Sequence, residues 1–284
     1  MTGTKKVYLN ITLLFVITAL LIATYYQMFV ILVSEWTIIP EYSHGFIIPV
    51  IAVYMIWHIS QEDAFTVLKP SNWGFLALFI GVLLLVTSMV GSEHFLQGLS
   101  LIVVLWSLSL YLGGVFIARR LIVPLGYLIF MIPFPSIIWN KFSLLLKLWV
   151  SSVTAFLLNH YGEIAFMHEG NIFTLSSGSL EVADACSGLR SLISMLALGV
   201  LIAFLSRYAV WKKLILLIAT IPIALTANIM RLLLLVILAD RYGLKITHGF
   251  LHSFSGFFVF FIGLLLLLGV HTLLALREPT VKRD

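Results

Sequence analysis

The final apolar run, FLHSFSGFFVFFIGLLLLLGVHTLLA at residues 250–275, decides the kind of fold. It contains no Asp, Glu, Lys or Arg. One α-helix of this length crosses the ~30 Å hydrocarbon core of a bilayer. Inside lipid, only helices and closed barrels satisfy every backbone polar group. Because comparable runs recur along the whole chain, the sequence predicts an all-α polytopic membrane protein embedded in the lipid bilayer.

The composition of the 284 residues excludes a soluble protein. Hydrophobic residues make up 61% of the chain and charged residues 10%, whereas a typical soluble domain has about 25% charged residues. The single cysteine, Cys186, excludes an intrachain disulfide, CxxC redox chemistry and a multi-thiolate metal site. The net charge is +5, but no basic stretch is interleaved with aromatic residues. We therefore assign the excess to cytoplasmic helix ends and expect no nucleic-acid partner.

The apolar runs predict about eight transmembrane helices and one interfacial or re-entrant helix. We assign residues 121–133 as spanning and 142–158 as interfacial, and the reverse assignment stays open. Eight spans place both termini on the same side of the membrane. The chain is expected to form one transmembrane domain, 1–284, with a short basic cytoplasmic tail at 276–284. The runs lie at about residues 7–33, 45–59, 74–90, 96–117, 121–133, 142–158, 186–205, 211–238 and 250–275.

The distribution of basic residues orients this topology. By the positive-inside rule, the side with most of the Lys and Arg residues is cytoplasmic, which here is the side of both termini. The outer face then carries the longest polar stretch, 160–184, whose pieces GEIAFMHEGNIFTL and GSLEVADA predict two short strands around Ser176-Ser177-Gly178. Of the 17 Lys and Arg residues, 11 lie on the N-terminal side: Lys5, Lys6, Lys69, Arg119, Arg120, Arg207, Lys212, Lys213, Arg277, Lys282 and Arg283.

Polar residues near the outer ends of the spans are the candidate functional groups. Cys186 lies at the predicted start of the 186–205 helix, where unpaired N–H groups lower a thiol pKa. Arg190 follows one predicted helical turn later, on the same face. The alternative interpretations are an inert buried thiol and a snorkelling arginine.

A second candidate, Arg231, lies deeper in the membrane. It precedes the outer end of the 211–238 run by about seven residues, which is about 10 Å along a helix. An arginine at that depth needs a partner or a wet cavity, so a functional role is favoured over a structural one. Asn228, three residues earlier, is on the same helical face and is expected to line such a cavity.

A third span contributes histidines at the same level. His252 lies at the outer start of the last run, with His248 four residues earlier, and two histidines are too few for a metal site without a further ligand. A thiol, an imidazole and a guanidinium at one level suit acyl transfer. The thiolate attacks a carbonyl, the imidazole moves protons, and the guanidinium stabilises the oxyanion.

Five motifs in order along the chain resemble the exosortase family, which includes the archaeosortases. EVADACSGLRSL at 181–192 is similar to the family's cysteine motif. ANIMR at 227–231 is similar to its asparagine–arginine motif, and HSFSG at 252–256 to the H-x-x-x-G pattern that opens the last span. EYSHGFIIPVIAVYMIW at 41–57 and RRLIVPLGYLIFMIPFP at 119–135 are similar to its first and central signatures.

The resemblance implies a bacterial inner-membrane cysteine transpeptidase with its site at the periplasmic side. Its partners would be membrane-anchored proteins whose C-terminal sorting signal combines a Pro-Glu-Pro-like motif, a transmembrane helix and a basic cluster. The family's catalytic residues fall on Cys186, Arg231 and His252. A guanidinium keeps its proton, so Arg231 suits oxyanion stabilisation better than proton donation. Ser253 stands where the family often has an acidic residue, and His44 is a further candidate for the site.

Two alternatives stay open beside the transpeptidase. The same site acts as a plain protease if water resolves the thioester. A non-enzymatic scaffold or transporter for extracellular polysaccharide assembly or export would need no reactive cysteine, but transporters usually show helices broken at the midplane and often a repeat. Neither feature is visible in the sequence. No cofactor or metal is implied, and the acceptor, the exact sorting motif and the oligomeric state stay open.

Overall fold

A computed structural model describes residues 2–61, 69–162, 164–182, 188–244 and 250–276, with the side chains of 2–11, 13–14 and 250–253 left undescribed. The elements in chain order are α1 (Thr2–Ile38), a 3₁₀ segment (Pro40–Phe46), α2 (Ile47–Ser60), α3 (Trp73–Val90), α4 (His94–Gly113), α5 (Val115–Tyr127), a second 3₁₀ segment (Leu128–Met131), α6 (Ser136–Tyr161), β1 (Phe166–Glu169), β2 (Ile172–Leu175), β3 (Gly178–Glu181), α7 (Leu189–Leu205), α8 (Val210–Tyr242) and α9 (Phe250–Leu276).

These elements form an all-α membrane protein with a small antiparallel sheet, as the apolar runs predict. In the described part of the chain, seven helical segments are long and apolar enough to cross a bilayer. The 17-residue α7 is a shorter apolar helix beside them. The chain divides into two compact units, residues 1–135 and 136–284, and each is described separately below. The basic tail from 277 onwards lies outside the described residues.

In the first unit, small residues let neighbouring helices approach closely. A side chain at Gly74 would collide with the backbone of Tyr111, and one at Gly81 would come within 2.8 Å of Val104. Both glycines are on α3 and both partners on α4. Close approach at small residues is a main source of helix–helix stability in membranes, because lipid tails are as apolar as the side chains they replace.

The central stretch of the first unit is broken more often than its hydropathy predicts. Gly114 has φ +89° and separates α4 from α5, and a side chain there would overlap the backbone oxygen of Lys69. The run predicted at 96–117 is therefore divided between two helices. The helical path then tightens into the second 3₁₀ segment and becomes extended before Pro135.

This broken stretch connects opposite ends of the first unit. At its start, the backbone oxygen of Gly113 accepts a hydrogen bond from the backbone N–H of Lys69 (3.2 Å). At its end, the backbone N–H of Phe134 donates to the hydroxyl of Tyr42 (3.1 Å). Residues 113–134 therefore run alongside α2. The 13-residue α5 is not among the seven segments long and apolar enough to cross a bilayer, so the assignment of 121–133 as a span stays a prediction.

The second unit begins with α6, which is longer than predicted. The run at 142–158 is part of a 26-residue helix that is long and apolar enough to cross a bilayer. The prediction of a short interfacial segment is therefore wrong about the extent of this helix. One stripe of α6, including Val150, Ala155 and Leu158, is buried against the sheet and α8.

The polar stretch at 160–184 has three strands, in the order β1-β2-β3. The prediction of two strands is wrong because the piece 162–175 folds back on itself at Gly170, where Glu169 pairs with Ile172. Phe173 and Leu175 of β2 are buried in a core cluster that includes the α8 residues Leu232, Leu235 and Val236. The hydroxyl of Ser177 donates to the backbone oxygen of Ala239 (2.9 Å), which further ties the sheet to α8.

Candidate active site

The candidate site is built on the face of α8 that carries two buried polar residues. Asn228 is 2% exposed and Arg231 is 9% exposed. Three residues separate them, so their side chains lie on the same helical face. Helix α8 continues to Tyr242, four residues beyond the predicted end of the run. Arg231 is therefore farther from the helix end than the sequence analysis assumed.

The guanidinium of Arg231 lies directly against the first turns of α9. Its Nε donates to the hydroxyl oxygen of Ser255 at 3.2 Å, and Ser255 is itself buried. A methyl group added at Gly256 would be only 3.4 Å from the guanidinium carbon. The small residues of the HSFSG motif therefore leave room for a large planar cation beside the helix backbone.

The other polar residue of α8, Asn228, supports the turn that enters α7. Gly188 has φ +82°, a left-handed conformation in which a side chain is strained. A Cβ at this position would also lie 2.8 Å from Asn228 Nδ2 and 2.9 Å from its Cγ. Only glycine meets both the backbone and the packing requirement at this position. The contact of Gly188 with Asn228 therefore places the cysteine motif against the asparagine–arginine motif.

The predicted nucleophile lies just outside what the structure describes. Cys186 is within residues 183–187, which are not described, and the same holds for His248. Helix α7 begins at Leu189, three residues after the predicted start, and Gly188 before it is left-handed. The predicted position of Arg190 one turn after Cys186 lies outside the described residues and stays a prediction. Arg190 is half-buried in the first turn of α7.

His252 is the third residue of α9, and its side chain is not described. Its helical position is one turn before Ser255 and Gly256, the two residues that contact Arg231. Residues separated by three or four positions lie on the same helical face. The described contacts therefore bring the three predicted motifs together pairwise, with Gly188 on Asn228 and the start of α9 on Arg231.

His44 belongs to the first unit, where it contacts the central signature. Its Nε2 lies 3.1 Å from the backbone oxygen of Phe130. The sequence analysis missed two neighbouring residues with similar roles. Trp36 donates from its indole N–H to the backbone oxygen of Met131 (2.9 Å), and Tyr42 accepts from Phe134. Tyr42 lies inside the 41–57 motif, which could have indicated it, whereas Trp36 lies outside both motifs.

The electrostatic character of the site comes from the buried guanidinium. In a low-dielectric region a cation interacts much more strongly with a developing negative charge than it does in water. Arginine also presents five N–H donors in a fixed plane. Among the described residues, no group of three or more His, Cys, Asp or Glu side chains is placed to hold a metal ion. The described chemistry is therefore that of a fixed cation beside a small-residue surface.

The comparison with known protein families covers most of the chain. Residues 36–269, most of the chain, match the family model of the transmembrane exosortases. The chain belongs to the transmembrane exosortase family. No curated protein and no solved structure matches it. Membership in the exosortase family supports a membrane transpeptidase role in general terms and protein substrates as a class.

Proposed function

We propose that the protein is a membrane-embedded cysteine transpeptidase that cleaves the C-terminal sorting signal of exported, membrane-anchored proteins and passes them to an acceptor. The observation that carries the proposal is the buried contact of Arg231 with Ser255 and Gly256, beside the packing of Gly188 on Asn228. These contacts join the segments that carry Cys186, Arg231 and His252. The role of each residue follows from its chemistry and its position in the motifs.

The reaction proceeds in two acyl transfers. The Cys186 thiolate attacks the carbonyl carbon of the scissile peptide bond, and the Arg231 guanidinium stabilises the oxyanion. When the C–N bond breaks, the protonated His252 donates a proton to the leaving amine, and the substrate remains as a thioester on Cys186. The acceptor then gives its proton to His252 and attacks the thioester, which releases the product and restores the thiolate.

We propose that both termini are cytoplasmic, that the site faces the periplasm and that the membrane is the bacterial inner membrane. We count residues 113–134, which run alongside α2, as a fifth crossing of the first unit. If α6 also crossed, Arg207, Lys212 and Lys213 would lie on the outer side, against the positive-inside rule. We therefore assign α6 to the interface. Reporters active only in the periplasm, fused after residue 135 or after residue 162, should both be active, whereas one inactive fusion would show that α6 crosses.

The first test of the reaction is co-expression with a substrate that carries a Pro-Glu-Pro-type C-terminal signal. Wild type should process this substrate, and mass spectrometry should detect a substrate-linked thioester on Cys186. Both Cys186→Ala and Cys186→Ser should abolish processing, because a serine hydroxyl at this position lacks the nucleophilicity of a thiolate. Processing that continues in Cys186→Ala would exclude the nucleophile assignment and favour a scaffold or transporter for polysaccharide export.

The product distinguishes transpeptidation from hydrolysis. If water resolves the thioester, the released protein ends in a free carboxylate. If another nucleophile resolves it, the product mass exceeds that value by the mass of the acceptor less one water. Intact-mass measurement of the processed substrate therefore identifies the acceptor class, and a free carboxylate as the sole product would reduce the proposal to a protease.

A further inference from the structure

A second buried cation lies at the other end of the α8–α9 pair. Lys212, in the first turn of α8, is 5% exposed. Lysines near helix ends usually extend to the membrane surface and keep their ammonium group in water. Here the ammonium instead donates to the backbone oxygen of Leu274 at 2.9 Å, within the last turn of α9. The last carbonyls of a helix have no partner within the helix, so Lys212 supplies one.

Other side chains join the same contact. The hydroxyl of Tyr208 donates to the backbone oxygen of His271 at 2.8 Å, and His271 Nε2 lies 3.1 Å from the hydroxyl oxygen of Ser206. The Lys212 ammonium also lies 5.7 Å from the ring centres of Tyr208 and Trp211. Cation–π attraction of this kind strengthens when the site is desolvated. We call Ser206, Tyr208, Lys212 and His271 the inner clamp.

The inner clamp and the Arg231 contact have matched spacing. Arg231 follows Lys212 by nineteen positions on α8, and Leu274 follows Ser255 by nineteen positions on α9. At 1.5 Å per residue, each interval is about 28 Å, close to the thickness of the hydrocarbon core. The two antiparallel helices are thus joined by a buried cation at each end and by apolar packing in between.

Apolar packing alone discriminates poorly between registers of α9. The segment between the two contacts consists almost entirely of Phe, Leu, Ile, Val and Gly, which pack against lipid as readily as against another helix. A slip by about one helical turn, which would place Leu267 instead of Gly263 beside Ile223, would move the Leu274 oxygen by about 5.4 Å along the axis and leave Lys212 opposite position 278, past the last residue of α9. A buried ammonium would then lose its acceptor, and an unsatisfied buried charge is costly.

We propose that Lys212 is a positioning residue for the proposed transpeptidase: it fixes the axial register of α9 against α8 and thereby holds the start of α9, which carries His252, at the level of Arg231. This inference rests on the proposed function for its catalytic consequence, but its structural part is independent of it. Lys212 touches no reacting atom and acts only through the position of α9.

The structural part is tested by disulfide formation in the Cys186→Ala background, which removes the native thiol. A Cβ at residue 263 lies 3.7 Å from Cγ2 of Ile223, so Ile223→Cys with Gly263→Cys should cross-link readily. Ile223→Cys with Leu267→Cys, one turn farther along α9, measures a shifted register. Adding Lys212→Met should lower the ratio of the first cross-link to the second at least threefold. Lys213→Met removes the same charge from the next residue and should leave the ratio unchanged.

The catalytic part is tested with the full chain in vesicles and the sorting-signal substrate. Lys212→Met should lower kcat at least tenfold with KM changed by less than twofold, and Lys212→Arg should recover most of kcat because it restores a donor. Tyr208→Phe should act in the same direction but more weakly, and it keeps the test available if Lys212→Met does not fold. Lys213→Met should match wild type.

The outcomes distinguish a failure of the inference about Lys212 from a failure of the proposed function. An unchanged cross-link ratio in Lys212→Met overturns the inference, as does a changed ratio with unaltered kcat. Equal effects of Lys212→Met and Lys213→Met would show that charge, not the clamp, is responsible, and would also overturn it. If wild type itself fails to process the substrate, the proposed function fails, while the cross-link ratio still reports on the register of α9.

Discussion

The two ends of the α8–α9 pair each bury a basic side chain of α8, but against different groups of α9. At the end that we propose to be cytoplasmic, here called the inner end, Lys212 donates to the backbone oxygen of Leu274, an acceptor that the helix terminus offers whatever its side chains are. At the opposite end, here called the outer end, Arg231 donates to the Ser255 hydroxyl and lies against Gly256. The inner contact depends on where the helix ends, whereas the outer contact depends on which residues are present.

This difference fits the two proposed roles, a positioning residue for Lys212 and a catalytic residue for Arg231. An ammonium that donates to a terminal backbone carbonyl is held in place by the helix end, and a substrate cannot easily displace it. A planar guanidinium presents several N–H donors in one plane, so it suits an oxyanion better than a point charge does. The following predictions examine this distinction, starting with the largest expected effect.

The chemical identity of the outer cation should matter more than its charge. Arg231→Lys keeps the charge but loses the planar donor fork, and we expect kcat to fall roughly 100–1,000-fold, the usual cost of removing an oxyanion donor. Processing rates of the sorting-signal substrate measure this. Arg241→Lys, an exposed change on the same helix, is the control and should have no effect. If Arg231→Lys retained most of its activity, Arg231 would be a structural cation like Lys212.

The turn at Gly188, which enters α7, should tolerate no side chain. Gly188→Ala combines a left-handed backbone with a collision against Asn228, and we expect a loss of about 2–4 kcal/mol in stability. Thermal unfolding in detergent measures the change. Gly170→Ala is the control, because Gly170 also has a positive φ (+63°) and the nearest atom to an added Cβ, Cδ2 of Leu148, lies at an ordinary contact distance of 3.7 Å. It should cost only the backbone strain, about 1–2 kcal/mol. Equal losses would mean that packing on Asn228 contributes nothing.

The neutral acceptor of the outer site should make the smallest contribution. Ser255→Ala removes the 3.2 Å hydrogen bond from Arg231 Nε and leaves the guanidinium in place. A net hydrogen bond to a charged group is worth about 1.5–3 kcal/mol, so kcat should fall roughly 10- to 100-fold. Thr272→Ala, at an exposed position near the other end of α9, should leave the rate unchanged. A larger loss than for Arg231→Lys would make Ser255, not Arg231, the dominant residue of the pair.

The sequence predicted the broad plan of the fold well and its breaks poorly. Long apolar runs require helices in lipid whatever their neighbours are, so the all-α architecture and most spans follow from hydropathy. The break at Gly114, the extent of α6 and the third strand depend on local contacts instead. Gly114 lies against the backbone of Lys69, which is more than forty residues away in the sequence, and no local sequence pattern predicts such a contact.

The candidate site follows the same division. Motif order indicated that Asn228, Arg231 and the HSFSG segment belong together, and the described contacts bring them together. The sequence analysis also started this helix at residue 186, whereas α7 begins at Leu189 after the left-handed Gly188, a conformation that hydropathy does not indicate. It counted Lys212 only as a cytoplasmic charge, because the positive-inside rule assigns a side to a lysine and not a partner.

The sequence by itself determined that this protein is a polytopic helical membrane protein of the exosortase family, because hydropathy and motif identity are local properties of the chain. Tertiary structure alone decided which groups meet the two buried cations of α8. Ser255 and the Leu274 oxygen become partners only when α9 packs antiparallel to α8 in one register. Burial then makes those polar contacts costly to lose, since lipid and apolar side chains offer no substitute for them.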